Sequence, residues 1–338
     1  MSSFAFDVGN RSLDGSVINA PVAVADDPIV KKALLYLNTE SLRLQLVSAL
    51  GLSQMGITAI SLTPESEQPI IGHNRAVAKL SVEAKNGDET VYRGSLALKL
   101  TSDLTEDAVS FRECFAEVEI GNALKNGALF ARHGSASYVA ALFSDYPDTI
   151  KSSLLASLSK VTANAVYPDV MAQLNQWVEG KTLREMFQIA AVSNTEDDMT
   201  KLSAAIKNSM SVMIKMWRDL SNEGRPLVFN TAMSDIVITP DGTPVFIDLC
   251  GGRKCGGAFN LMRALQDFSK GVRLSSQHLM GSDIPFLVSG PAIGAFLSGE
   301  LGRDAAAQVV YEAKSNSSNF PPDFRHLFLP EISRIVGA

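Results

Sequence analysis

Asp235 and Asp248 are the residues whose type and spacing point most directly to chemistry. They lie in VFNTAMSDIVITPDGTPVFIDLCGG, which reads as a loop, a short strand (IVI), a turn at Asp241-Gly242 and a second strand (PVFID). A hairpin spanning the 13-residue interval between the two acids brings both carboxylates to its open end, close enough to share divalent cations. Asp248 also ends its strand just ahead of Gly251-Gly252. Glycines there allow the close backbone approach that a metal–phosphate ligand needs.

Phosphoryl chemistry asks for four things: a backbone cradle for phosphates, a cation on the inner phosphates, acids holding metal, and a group orienting the nucleophile. Lys99, in the alternating strand pattern SLALKL, is the candidate cation. A helix pattern follows it, carrying Glu113, Glu117 and Glu119. One of these is expected to pair with Lys99, Glu117 being preferred and Glu119 next; the competing reading is an exposed charged face. Gly72-His73-Asn74-Arg75 lies between two strands and is the candidate phosphate cover, with a plain hairpin turn as its alternative.

Several elements must position these groups. Residues 1–64 read as a helical N-terminal extension, with IVKKALLYL and TESLRLQLVSALG at helical spacing and Gly51 as a stop. From about Ile70 the period becomes two, with a turn at Asn86-Gly87-Asp88 between strands. A helix over 106–125, a strand over 137–143 and a helical insertion near 148–164 follow. Lys201–Asn222 is a strong helix, its core side carrying Met210, Val212, Met213, Met216 and Trp217. The tail from Phe259 holds three or four helices, broken at Gly281, Gly290-Pro291 and Pro321-Pro322. The fold class expected is α+β and bilobal: residues 65–172 as a small strand-rich lobe and 173–338 as a larger helical one.

The bulk properties remove alternatives. At 338 residues, 46% hydrophobic and 20% charged, the chain is an ordinary globular protein rather than a disordered one. A net charge of −6 argues against nucleic acid as the partner. No apolar run is long enough for a bilayer, and the first residues lack the basic and apolar regions of a Sec signal, so a cytoplasmic protein is expected. Cys114, Cys250 and Cys255 make an odd count that argues against a disulfide framework, and Cys250 and Cys255, without metal spacing, read as two reduced thiols in a loop.

With these residues in place, the chain resembles the aminoglycoside-phosphotransferase and protein-kinase-like superfamily over about residues 65–270. IGHNRAVAKLSVEAKNGD…LALK resembles that family's first hairpin and FRECFAEVEIGNAL its Glu-bearing helix. AQLNQWVEGKTLREMF resembles the hinge, and VFNTAMSDIVITPDGTPVFIDLCGG the catalytic loop and metal-binding strand. The resemblance implies ATP and Mg²⁺ as cofactors. Gly72 and Asn74 would cover phosphates, Lys99 would hold them with Glu117 as its partner, and the adenine would lie against the hinge from Gln173 through Asn175 to Trp177. Asp235 and Asp248 would bind Mg²⁺.

The departures fall at the catalytic loop. Val228 replaces its histidine, Asn230 stands where the catalytic Asp belongs, and Asn260 stands where an Asp often opens the next helix. An amide cannot take a proton from a substrate hydroxyl as a carboxylate does, although the loose transition state leaves much of catalysis to positioning and charge neutralisation. Two functions follow as expectations. One is an ATP·Mg-dependent transferase, moving a phosphoryl or nucleotidyl group to a small-molecule or protein hydroxyl, with Asn230 and Asp248 at the catalytic positions. The other is a pseudokinase interaction module, with or without bound nucleotide. A third reading is an unrelated α+β protein carrying a chance motif.

Overall fold

The computed structural model describes residues 28–37, 39–65, 70–71, 75–102, 132, 134, 137–143, 170–222, 231–247, 257–279 and 281–338. The protein is α+β, with a small antiparallel sheet and a helical region, and the chain divides into two compact units. The first comprises Met1–Lys125 with Ala136–Trp177, the second Asn126–Ser135 with Val178–Ala338. Among the described residues, no helix is long and apolar enough to cross a membrane.

The first unit is organised by a long hairpin of β3 (Arg75–Asn86) and β4 (Glu89–Ser102). Its two-residue loop places Gly87 at φ +59°, a left-handed value that glycine adopts without a side-chain clash. β1 (Ala59–Pro64) and β2 (Ile70–Ile71) pair with the free edge of β3. β6 (Val170–Gln176) pairs with β4, and β5 (Ser137–Phe143) with β6, all antiparallel. Residues 59–64 therefore form a strand and not the end of the helical extension that the pattern of residues 1–64 predicts. Ile60 and Leu62 alternate with Ser61 and Thr63, a period-two pattern too short to stand out beside the preceding helices.

One face of this sheet is almost wholly aliphatic. Ala78, Leu80 and Val82 on β3, Leu96, Leu98 and Leu100 on β4, and Ala172 and Leu174 on β6 form one buried cluster. It is completed by Val30, Ala33 and Leu37 of α1 (Pro28–Leu37) and Leu46 of α2 (Glu40–Ala49). The spacing of Val30, Ala33 and Leu37 is one helical stripe, so α1 presents its apolar side to the sheet. Each fully buried leucine contributes roughly 1.5–3 kcal/mol. The two helices are part of the core of this unit.

β3 and β4 are not in simple register. Lys85 pairs with Thr90, but Ala84 pairs with Tyr92, so Val91 is an extra residue on β4. Beyond this bulge, even-numbered residues of β3 lie across from even-numbered residues of β4, and odd across from odd. Nearer the turn the opposite face is solvated. There Arg93 holds Glu83 directly across the strand pair, at 2.8 Å, and Lys85 lies 3.4 Å from the same carboxylate.

The second unit begins with β7 (Lys181–Thr182), which joins the hairpin of β8 (Ile236–Ile238) and β9 (Pro244–Phe246). α3 (Leu183–Ser193) starts with a capping box: the Glu185 amide donates to the Thr182 hydroxyl and the Thr182 amide to the Glu185 carboxylate. α4 (Glu196–Asn222) starts five residues before the Lys201 boundary expected from its apolar stripe, because the Thr195 hydroxyl caps the Asp198 amide. Met210, Val212, Met213 and Met216 are buried on it as the pattern requires, and Trp217 is half-buried.

α5 (Ala258–Ser275), α6 (Gly290–Leu301), α7 (Arg303–Ser315) and α8 (Leu329–Val336) complete this unit. Gly290-Pro291 opens a helix rather than merely interrupting one, with Ser289 as its cap and proline in the first turn. α6 then runs close to α8: a Cβ on Gly294 would lie 2.8 Å from the Ile335 Cβ. Glu300 ties α6 to α4, accepting from the Ser211 hydroxyl and pairing with Lys215 at 3.3 Å.

Truncating Leu37 to alanine empties a site that is 2% exposed. The expected loss is about 2–4 kcal/mol of unfolding free energy. In hydrogen exchange, protection should fall together in α1, β3 and β4. Loss confined to residues 28–50 would show that the helices are not integral to the sheet.

Candidate functional site

The antiparallel register fixes what the other face of the first sheet carries. Residues directly opposite one another share a face, so two cross-strand rows can be traced. Val77, Lys99 and Gln173 form one row, and Glu65, Lys79, Ala97 and Asn175 the next. Glu65 joins the second row because its amide donates to the Lys79 carbonyl at 2.9 Å, one step past the β1–β3 ladder.

This face differs in kind from the leucine face. Lys99 is 6% exposed, and Gln173 and Asn175 are 0% exposed. Burying an ammonium and two primary amides costs free energy unless each is matched by polar partners. If this face had only to be covered by chain, aliphatic side chains would serve, as they do on the other side. Three buried polar residues in adjacent rows mark a place organised around polar groups. Lys99 supplies three donors, and each amide supplies both donors and an acceptor.

At the edge of this face the burial relaxes. The Lys79 ammonium lies 3.4 Å from the Glu65 carboxylate and 5.4 Å from the centroid of the Trp177 ring. The Lys79 and Glu65 side chains remain 25% and 35% exposed. The Trp177 indole nitrogen is buried and makes no hydrogen bond.

The second unit holds Asp235. It closes a single 3-10 turn, Met233–Asp235, immediately before β8. Its amide donates to the Ala232 carbonyl at 2.9 Å, and its carboxylate accepts from the Ser234 hydroxyl at 3.2 Å. The Ile247 amide donates to the Asp235 carbonyl at 2.9 Å, which extends the β8–β9 ladder to the residue preceding Asp248 in the sequence. At the far end of the hairpin, Gly242 has φ +82° and its amide donates to Thr239. The Asp241 carboxylate accepts from the Thr239 and Thr243 hydroxyls and the Thr243 amide, which hold it below the usual aspartate range.

The hinge-like segment has a physical explanation of its own. Gly180 has φ +152°, and a Cβ there would lie 2.3 Å from the Ile238 carbonyl oxygen. Only glycine lets β7 lie this close to β8. The Thr182–Glu185 cap then turns the chain into α3, and Leu183 is fully buried as its first residue.

Of the site residues expected from sequence, Lys99, Gln173 and Asn175 come together on one sheet face, and Asp235 stands at the open end of the β8–β9 hairpin. Gly72, Asn74, Glu117 with its neighbours Glu113 and Glu119, Asn230 and Asp248 lie outside the described residues. Among the described residues, no group of three or more His, Cys, Asp or Glu is placed to hold a metal ion. Glu65 and Lys79 do not stand out in the sequence. Lys79 shares odd parity with Lys99, a signal that becomes usable only once the bulge at Val91 is known. No family model matches the chain, and no curated protein matches it.

Gly180→Ala is expected to destabilise the second unit by roughly 2–4 kcal/mol, combining backbone strain with overpacking against a carbonyl. Urea unfolding of the full chain measures it. Asp241→Asn should lower stability at neutral pH. The depressed folded-state pKa means the contribution is complete above the ordinary value of 3.8 and is lost as pH falls through the folded value. The difference between the two proteins in unfolding midpoint should therefore shrink below pH 4, and a difference that stays constant to pH 2 would contradict the assignment.

Proposed function

We propose that this chain is a Mg²⁺·nucleoside-triphosphate-dependent transferase of bilobal, protein-kinase-like fold, with ATP as the donor that the resemblance implies. The observation that carries the reading is the burial of Lys99 beside Gln173 and Asn175 on one sheet face. A cation on a strand, flanked by amides at the end of the neighbouring strand, fits the inner phosphates and the base edge of a nucleotide.

The residues present fit such a ligand by the chemistry of their donors. Lys99 would hold phosphate oxygens, and Gln173 and Asn175 would orient the nucleoside. Asp235 and Asp248 would hold Mg²⁺, which neutralises phosphate charge when bound. Asn230 replaces the carboxylate of a general base, so its amide would orient an acceptor hydroxyl without removing its proton. The reaction is transfer to a hydroxyl of a small molecule or a protein, either of the phosphoryl group with release of the nucleoside diphosphate or of the nucleotidyl group with release of pyrophosphate, the hydroxyl proton passing to solvent. The same Asn230 favours a second reading, an interaction module that binds nucleotide without turnover.

Calorimetric titration with ATP and GTP, with and without Mg²⁺, tests the reading. Binding should require Mg²⁺ and weaken by about 10–100-fold in Asp248→Ala and in Lys99→Met. Absence of binding under every condition would overturn it. Incubation of the protein with γ- and α-labelled nucleotide then separates phosphoryl transfer, nucleotidyl transfer and binding alone.

A further inference from the structure

We infer that Glu65, Lys79 and Trp177 form a base-reading corner on this sheet face, and that it selects guanine in place of the adenine that the resemblance implies; the inference rests on the nucleotide-binding reading above, not on the identity of the base. All three residues belong to the first unit. Glu65 and Lys79 continue the row that contains Asn175, so they lie on the same face as Lys99 and Gln173.

Their polar groups are specific in kind. The Lys79 ammonium and the Trp177 indole N–H only donate hydrogen bonds, and the Glu65 carboxylate only accepts them. The Lys79 ammonium lies 3.4 Å from the carboxylate and 5.4 Å from the ring centroid, so the three groups are neighbours. Lys79 already has a counter-ion, whereas the indole nitrogen is buried without an acceptor. A buried donor without a partner is costly, and an acceptor on a bound ligand would satisfy it.

The Watson–Crick edge of guanine offers one acceptor, O6, beside two donors, N1–H and the 2-amino group. Its O6 matches the indole N–H and the ammonium, and its two donors match the two oxygens of one carboxylate. Adenine fails at both ends. Its 6-amino group would face the donors, and its N1 lone pair would face the carboxylate. A site that hydrogen-bonds a ligand group discriminates strongly against an analogue lacking it, because its own polar groups are then left unpaired.

The chain has two tryptophans. Trp217→Phe leaves Trp177 as the only indole, so its fluorescence reports ligands at this corner directly. Titration with Mg²⁺·GTP, Mg²⁺·ITP and Mg²⁺·ATP should give GTP at least tenfold tighter than ATP. Inosine keeps O6 and N1–H but lacks the 2-amino group, so ITP should fall between them. Glu65→Gln, at a partly exposed position, should bring the GTP/ATP affinity ratio close to one. Trp177→Phe, followed by calorimetry, should weaken GTP more than ATP and so lower the GTP/ATP affinity ratio. ATP binding as tightly as GTP would overturn this inference and leave the nucleotide reading standing. Failure of all three nucleotides to bind would remove both. A GTP/ATP ratio unchanged in Glu65→Gln would also overturn the role of this corner.

Discussion

The packing of an aliphatic sheet face against two short helices is the constraint from which the rest of the first unit follows. Leu80, Val82, Leu96, Leu98 and Leu174 have no other place to bury, and α1 supplies the stripe that seals them. Neither helix is longer than ten residues, and helices of that length are marginal alone in water. Their stability comes from the sheet, and the sheet's dryness comes from them. Because strands alternate, committing the even-numbered residues to this interface obliges the odd-numbered ones to face the other way. The buried lysine and amides lie where they do as a consequence of where the leucines go.

That division gives the sheet two chemically distinct sides only a strand's thickness apart. On one side the driving force is non-directional and tolerant of exchange among aliphatic residues. On the other, Lys99, Gln173 and Asn175 depend on directional bonds, so their geometry matters more than their volume. Rigidity on the first side positions the second: the backbone of β4 and β6 that presents the polar groups is pinned by the leucines between them. In the second unit the β8–β9 hairpin plays the same part for Asp235, fixed at one end by the Thr239–Thr243 turn and at the other by Ile247.

Much of this was legible in the sequence, for reasons that can be traced residue by residue. The helical spacing of Val30, Ala33 and Leu37, the turn at Gly87, the strand over 137–143 and the hairpin at Gly242 are local signals, and the structure has an element at each. Ala59–Pro64 carries little local strand signal, because its alternation is short and its partner is β3; its identity depends on pairing rather than propensity. Residues that could bind a ligand were legible by type but not by company. Lys99 stood out as a lysine in an apolar strand, yet its neighbours Gln173 and Lys79 are distant in sequence and meet it only through register. Gly180 looked like part of a motif, while the carbonyl oxygen that demands a glycine there belongs to Ile238, far along the chain.

The single extra residue at Val91 has a wider meaning. A hairpin grown from the turn at Gly87 without it would set odd residues of β3 against even residues of β4, and Lys79 would lie on the same side as Leu96. The bulge acts as a phase shifter between the turn, which is free to choose its own geometry, and the body of the sheet, which is not. The chain therefore tolerates change in the identity of residues around the hairpin tip far better than change in their number. Homologous chains would be expected to conserve the length of the segment from Lys85 to Leu96 more strictly than its composition.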